Sequence, residues 1–357
     1  MRIAIIGSRG LLSEYSGIES MLRELCPRLV RRGHSISVFG EASAERSFEG
    51  VALEHAASFG GRRMETLSRS LFATLQALVS HFDLLHFHDV APALYSPLCR
   101  LRGVPTLLTL HSVDWRRNQW SSTAKTAIKI IERIAVGSAS RITVVSEPLR
   151  RYVHDTYGRD SVVLPNVVEP RPRVPAGAYC AKLGIREQQY VLFVGRLVSD
   201  KAPHTLIRAF RAIDTDMKLV IVGRDRHGGR YASDLRAMAD AHTVIFTGHV
   251  SAAELAELYS NAYLFVLPSL VEGCSMAILE AMAYGTPVLV SDTPENLCTI
   301  GSDGLAFRAG DTIDLTTQLD RLLANPAHLK RRRATAAASW DDIVERYENV
   351  YSDAVRS

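Results

Sequence analysis

The 357 residues suffice for about two domains of ordinary size, each able to bury its own core. Hydrophobic residues at 47% and charged residues at 22% exclude a disordered chain, a collagen-like one and a disulfide-dense scaffold. The net charge of +4 is unevenly spread, since residues 1–167 carry 21 Lys/Arg against 15 Asp/Glu and the front half is therefore the basic one.

The opening RIAII reads as a strand that runs into the glycine-punctuated loop GSRGLLSEYSG and then a helix from about Ile18 to Arg32. Ile18, Met21, Leu22, Leu25 and Leu29 recur at helical spacing. Ser16 with Glu19 forms an S-x-x-E capping box, and Gly33 supplies a stop. Strands follow at Ser35–Phe39, Leu84–His88, Thr106–Leu110 and Ile142–Val145, with helices around 65–80 and 123–137. The proline-rich VVEPRPRVPAGAY after Asn166 suits a crossing segment. The expected domains are thus 1–167 and 189–339, joined by a linker over 168–188. A second α/β series occupies the rear domain: strand Val191–Val194 with Gly195, helix 202–213, strand Leu219–Val222 with Gly223, strand Val244–Thr247, helix 252–260, strand Leu264–Leu267, helix 275–284 and strand Val288–Ser291. The alternation predicts an α/β fold of two Rossmann-like, doubly wound domains facing across a cleft. Trp340, Ile343, Val344, Tyr347, Val350 and Tyr351 give 340–357 an amphipathic helical pattern, with the first domain as candidate host.

Apolar runs are broken long before the roughly 18 residues of a membrane span, and the N-terminus lacks the core of a secretory signal, so a cytoplasmic location is expected. Cys26, Cys99, Cys180, Cys274 and Cys298 are scattered, which indicates neither disulfides nor a zinc site. Arginine pairs without interleaved aromatics do not suggest a nucleic-acid partner. The helix around 63–80 joins Arg62, Arg63 and Arg69 to Leu67, Leu71, Leu75 and Leu78. Packing into the core is the plainer expectation for that helix, and peripheral contact with an anionic membrane the sharper one.

The densest chemistry lies in VEGCSMAILEAMAYGTPVLVSD, residues 271–292, where a loop leads into a helix starting near Ser275. Amide groups at such a start favour an anion such as a nucleotide phosphate. Glu272 and Glu280, eight positions apart, could accept hydroxyl hydrogen bonds at different depths, although each alone reads as a solvated side chain. Arg196 after the strand-ending Gly195, with Lys201 five residues later, could neutralise a diphosphate leaving group. Asp214-Thr215-Asp216 joins a helix to a strand and reads as a turn, so no metal or cofactor is expected.

VGRL followed by Lys201, VGR at 222–224, TGHV at 247–250, PS…EG at 268–273 and the Glu-x7-Glu pair resemble the retaining nucleotide-sugar glycosyltransferases of family 4, with the two-domain GT-B fold. IGSRGLLSEYSGIES, HDVAPAL (88–94) and TLHSVDWRRNQW (109–120) resemble the bacterial rhamnosyltransferase-like branch. The resemblance implies that Arg196 and Lys201 bind the donor diphosphate and Glu280 the ribose. Glu272 and the backbone of Gly273, Cys274, Ser275 and Met276 would hold the transferred sugar. Gly17 would approach the phosphates, His111 the sugar's reacting face, and Asp114, Trp115 and Arg116 would shape the acceptor side. Ser16 and Ser112 replace glycines usual in the branch.

The implied activity is transfer of a hexosyl or deoxyhexosyl unit (rhamnosyl or N-acetylhexosaminyl, for example) from a nucleoside-diphosphate sugar to a saccharide or lipid-linked acceptor. The alternatives are a non-catalytic sugar-nucleotide-binding subunit and a GT-B sugar-nucleotide epimerase. A dinucleotide-dependent oxidoreductase fits less well, because G-x-G-x-x-G spacing is missing and only Glu41 could serve at the end of a second strand.

Overall fold

The structure, a computed structural model, describes residues 1–13, 16–224, 230–325, 329 and 339–356, with the side chains of Arg62 and Arg63 outside that set. The chain divides into two units. The first comprises Met1–Arg116, Trp120–Val167 and Ala338–Ser357, and the second Arg117–Gln119 with Val168–Ala337.

Among the described residues the first unit holds an eight-stranded sheet of β1 (Arg2–Ile6), β2 (Ser35–Gly40), β3 (Ser47–Phe48), β4 (Val51–His55), β5 (Leu84–His88), β6 (Thr106–Leu110), β7 (Arg141–Val144) and β8 (Val162–Val163). Its order is β3-β4-β2-β1-β5-β6-β7-β8, parallel except for β3 against β4. Burial on both faces explains why β5 and β6 show no alternation: Leu84–His88 and Thr106–Leu110 are buried throughout, the two histidines of β5 included. Ile3, Ile5 and Leu84 pack with the helix Gly17–Arg31 and with Trp340, Ile343, Tyr347 and Tyr351 of the helix Trp340–Arg356. The amphipathic stripe of that last helix therefore belongs to the first unit. His34 Nε2 meets Glu348 Oε1 at 3.0 Å, and Arg28 lies over the Trp340 ring.

The second unit contains β9 (Tyr190–Val194), β10 (Lys218–Val222), β11 (Val244–Gly248), β12 (Leu264–Leu267), β13 (Val288–Ser291) and β14 (Leu305–Phe307). They form a parallel sheet ordered β11-β10-β9-β12-β13-β14. Chain order reverses between β9 and β12, and a doubly wound sheet binds ligands just beyond the carboxyl ends of the strands at such a point. Gly223 closes β10 at φ +141°, and a Cβ there would stand 1.8 Å from Gly195 O, so only glycine lets the two strand ends approach. The segment 168–188, expected as a linker, is counted with the second unit. It carries the helix Ala178–Leu183, and Arg173 donates from Nη2 to Ser260 O at 2.6 Å. Proline density marked a departure from regular structure, not from the domain surface.

The helix near 63–80 runs Gly61–Val79 and buries one face, though not the expected leucine face. Its buried positions are small or polar, with Ser68, Ser70, Ala73, Thr74 and Ala77 all at most 3% exposed. Leu67, Leu71 and Leu78 are only half-buried, and Leu75 is exposed. The leucine stripe thus does not point into the core.

Candidate active site

In the second unit the sequence-predicted charges converge beyond β9 and β12. After Gly195 and Arg196 the chain makes a short 3-10 turn, Ser199–Lys201, and Ala202 takes φ +48°, a left-handed conformation uncommon for a non-glycine residue. The turn is anchored on both sides: Leu270 N–H donates to Asp200 O at 2.8 Å, and Asn118 N–H to Asp200 Oδ1 at 2.8 Å. This lays the β9 loop along the β12 loop and pairs Lys201 Nζ with Glu272 Oε1 in a close, largely buried ion pair. Burial pushes the Lys201 ammonium down from its ordinary range; Glu272 opposes that, while the cations of Arg196 and Arg117 add to it. Lys201 with Arg196 and Arg117 is thus a concentrated positive site held in check by one carboxylate, Glu272. The family resemblance implies phosphate for Lys201 and sugar for Glu272, and the contact between the two side chains is visible only in the structure.

Beyond Glu272, Gly273 and Ser275 are buried and Cys274 is partly exposed. Ser275 is the N-cap of the helix Met276–Ala283, yet its hydroxyl makes no capping bond, so it supplies no side-chain acceptor to the first-turn amides. Glu280 lies further along that helix and accepts from Tyr259 Oη at 3.0 Å. Burial raises its carboxyl above the ordinary range, and Tyr259 and Arg171 pull it back. Tyr259 stacks on Tyr284, and Arg171 reaches over the Tyr284 ring. No motif announces this aromatic and guanidinium frame around Glu280. Asp214–Asp216 lie between the helix Pro203–Arg211 and β10, where Met217 N–H donates to Thr215 Oγ1, as in a turn.

The remaining candidates lie in the first unit. Gly17 opens the helix Gly17–Arg31 behind Ser16, which caps Ile18 N–H. Glu19 differs from the expected capping box: its carboxylate takes the Ser16 hydroxyl and Arg9 N–H, tying the β1 loop to the helix start. Glu41 forms ion pairs with Arg9 at 3.1 Å and Arg69 at 3.6 Å, a use that argues against a nucleotide ribose there.

His111 follows β6. Its backbone N–H donates to Asp89 Oδ1 at 3.0 Å, and its Nε2 meets His88 Nδ1 at 2.9 Å. Burial pushes the His111 imidazole down to about 4, against the opposing pull of Asp114. Asp114, Trp115 and Arg116 form a 3-10 turn. Trp115 Nε1 donates to Tyr152 Oη at 2.9 Å while Lys129 sits 4.0 Å over its ring, so the indole is a packed element. Behind it, Tyr152 and Tyr157 both donate to the fully buried Glu132, a network that no motif announced.

Residues 15–171 match the family described as Glycosyltransferase Family 4, and residues 188–325 that described as Glycosyl transferases group 1. The chain is a glycosyltransferase of the GT4 type. It is 28% identical over 393 aligned positions to D-inositol 3-phosphate glycosyltransferase of Gordonia bronchialis, covering 96% of this chain and 84% of the relative. With the putative teichuronic acid biosynthesis glycosyltransferase TuaC of Bacillus subtilis it shares 30% identity over 233 positions, 63% of this chain and 57% of that one. Among solved structures, sucrose-phosphate synthase from Thermosynechococcus elongatus superposes with a TM-score of 0.80 at 20% identity, covering 100% of this chain and 97% of the other. Anabaena HepE, solved with UDP and glucose, gives 0.75 at 17%, covering 100% and 96%. These likenesses establish the two-domain α/β GT-B fold for this glycosyltransferase.

Proposed function

We propose that this glycosyltransferase moves a hexosyl or deoxyhexosyl unit from a nucleoside-diphosphate sugar to a saccharide or lipid-linked acceptor, with the anomeric configuration kept. The observation that carries the reading is the Lys201–Glu272 pair with Arg196 beside it, at the point where the second sheet reverses order. A diphosphate arriving there meets fixed positive charge in a partly dehydrated place, where each charge acts more strongly than in water. As the phosphate takes over Lys201, Glu272 is released to accept hydroxyls of the sugar. Glu280, held by Tyr259, takes the ribose, and the amides near Ser275 and Met276 meet a phosphate oxygen. Negative charge grows on the departing diphosphate, which takes the acceptor's proton on the same face; the protein supplies position and cations. No metal or cofactor enters this scheme.

The test screens UDP-, dTDP- and GDP-sugars for binding and slow hydrolysis, with Lys201→Ala and Glu272→Ala as controls. Loss of phosphate-dependent affinity in the first variant and of sugar discrimination in the second is the expected result. Unaltered binding and turnover in both would refute the assignment.

An anionic membrane surface is the partner that the first unit fits. No described helix is long and apolar enough to cross a bilayer. Exposed Leu75 and Val79 of the 61–79 helix, Leu98 and Leu101 of the helix Ser96–Leu101, and Ile130 and Ile134 of the helix Ser122–Ser138 accompany Arg100, Lys129 and Arg133. The acidic residues of these three helices are Glu65, ion-paired with Arg69, and Glu132, fully buried. Apolar side chains among cations with no unpaired carboxylate suit an anionic interface. Anionic vesicles at low salt should retain the protein, and retention should fall with Lys129→Glu or Ile130→Glu. No retention of the parent protein would end the proposal.

A further inference from the structure

The first unit contains a run of three histidines that the proposed chemistry leaves unexplained. His86 and His88 on β5 are fully buried, their ring centroids 4.1 Å apart. His86 joins Tyr351 Oη at 3.1 Å through Nδ1 and Thr109 Oγ1 at 2.7 Å through Nε2. Thr109 continues to Thr143 Oγ1 at 2.6 Å. His88 Nδ1 meets His111 Nε2 at 2.9 Å, while His88 Nε2 is buried without a hydrogen-bond partner.

A close contact between two ring nitrogens requires one proton, not two and not none. That proton can sit on either ring, and the orphaned nitrogen decides between them. If His88 were protonated at Nε2, a buried N–H would have no acceptor, the rarer and costlier kind of unmet group. Placing the proton on Nδ1 leaves only a bare lone pair at Nε2. His88 then donates to His111 Nε2, and the neutral His111 must carry its own proton on Nδ1, the nitrogen that His88 leaves available for a second hydrogen bond.

We infer that His88 is a positioning residue that fixes His111 as the Nδ1–H tautomer, so that His111 offers a hydrogen bond to an oxygen of the transferred sugar instead of acting as a base. The tautomer itself rests on the geometry of the first unit. Its meeting with the sugar rests on the proposed function. The position is further constrained by Gly7, at φ +121°, where a Cβ would stand 2.3 Å from His88 O. Asp89 fixes the His111 backbone, and the charged or titratable groups around the run are Asp89, Asp114, Tyr347 and Tyr351. Front-face transfer, in which the departing diphosphate takes the proton, needs no base from His111, and a neutral donor is compatible with it.

The deciding measurement is a two-bond proton–nitrogen correlation spectrum of protein labelled with 15N-histidine, without ligand, at neutral pH. His88 and His111 are assigned from His88→Asn and His111→Asn. His111 should show a protonated Nδ1 and a bare Nε2; an Nε2–H or averaged pattern overturns the inference. In turnover, His88→Leu removes the donor and should lower kcat roughly ten-fold, with a smaller change in the donor KM. His88→Asn restores an N–H near the place of Nδ1 and should recover most of that loss. Equal losses in both variants, each with a parent-like melting curve, would mean that His88 only fills space. If the spectrum is as expected but no nucleotide sugar binds, the tautomer stands and the proposed function fails.

Discussion

The two units wind their sheets in related ways yet gather opposite chemistry along and beyond their strands. The second assembles net charge: Lys201, Glu272 and Arg196, with a cationic side chain driven into a partly buried place. The first assembles neutral polar groups, with His86, His88 and His111 deprived of their charge by burial. A pyrophosphate group needs fixed cations, whereas a sugar hydroxyl is better met by donors and acceptors that attract no counter-ion. The shared topology sets where the groups collect, and the residues at each strand end set what they do.

The largest test of that contrast is Lys201→Met. It should cost roughly 100- to 1,000-fold in kcat/KM for the donor, the range seen when a preorganised charge is removed from a leaving group. His111→Ala should cost less, and comparing the two in one steady-state assay would reverse the picture if the order were inverted.

Acid should expose the first unit next. Burial drives His86 down to about 3 and His111 to about 4, with His88 also well below the ordinary range. The unfolded chain would bind protons below about 6.5 that the folded chain refuses, so stability is full above that pH and falls as pH drops towards 4. Three such groups give a slope of up to about 4 kcal/mol per pH unit. Urea titrations between pH 7 and 4.5 would show it, and His86→Gln should remove roughly a third of the slope. A flat profile would mean that the histidines are charged in the fold.

Smaller still is Tyr259→Phe. Losing its hydrogen bond to Glu280 should cost about 1 kcal/mol of stability and raise the Glu280 carboxyl further, because that bond favours the ionised form. Thermal unfolding reads the first effect, and the pH dependence of donor binding the second.

Much of this was legible in the amino acids. Leu84–His88, Thr106–Leu110, Leu264–Leu267 and Val288–Ser291 stand where their runs predicted, because parallel strands covered on both faces are rich in Leu, Val and Phe on both sides, with only buried His, Thr or Ser among them. The two-residue strand Ser47–Phe48 carries no such pattern, and Val51–His55 lies amid polar residues, so neither was seen. The helices Glu147–Tyr157 and Thr312–Ala324 also went unread, hidden among charged residues. Lys201 and Glu272 were recognised one by one, but spacing of 71 residues says nothing of contact, and the pair appears only once two loops are laid together. His88 stands inside HDVAPAL without a role readable from the sequence, since its partner His111 lies just past another strand.

The helix Trp340–Arg356 completes the core of a unit whose described strands end near residue 163. During synthesis the later unit can therefore finish folding while the earlier one still waits for Tyr347 and Tyr351, so the usual order of domain maturation is inverted. Until that last helix emerges, the apolar faces of β1 and β5 depend on some other cover, and a chain stalled late in translation is the form most exposed to aggregation.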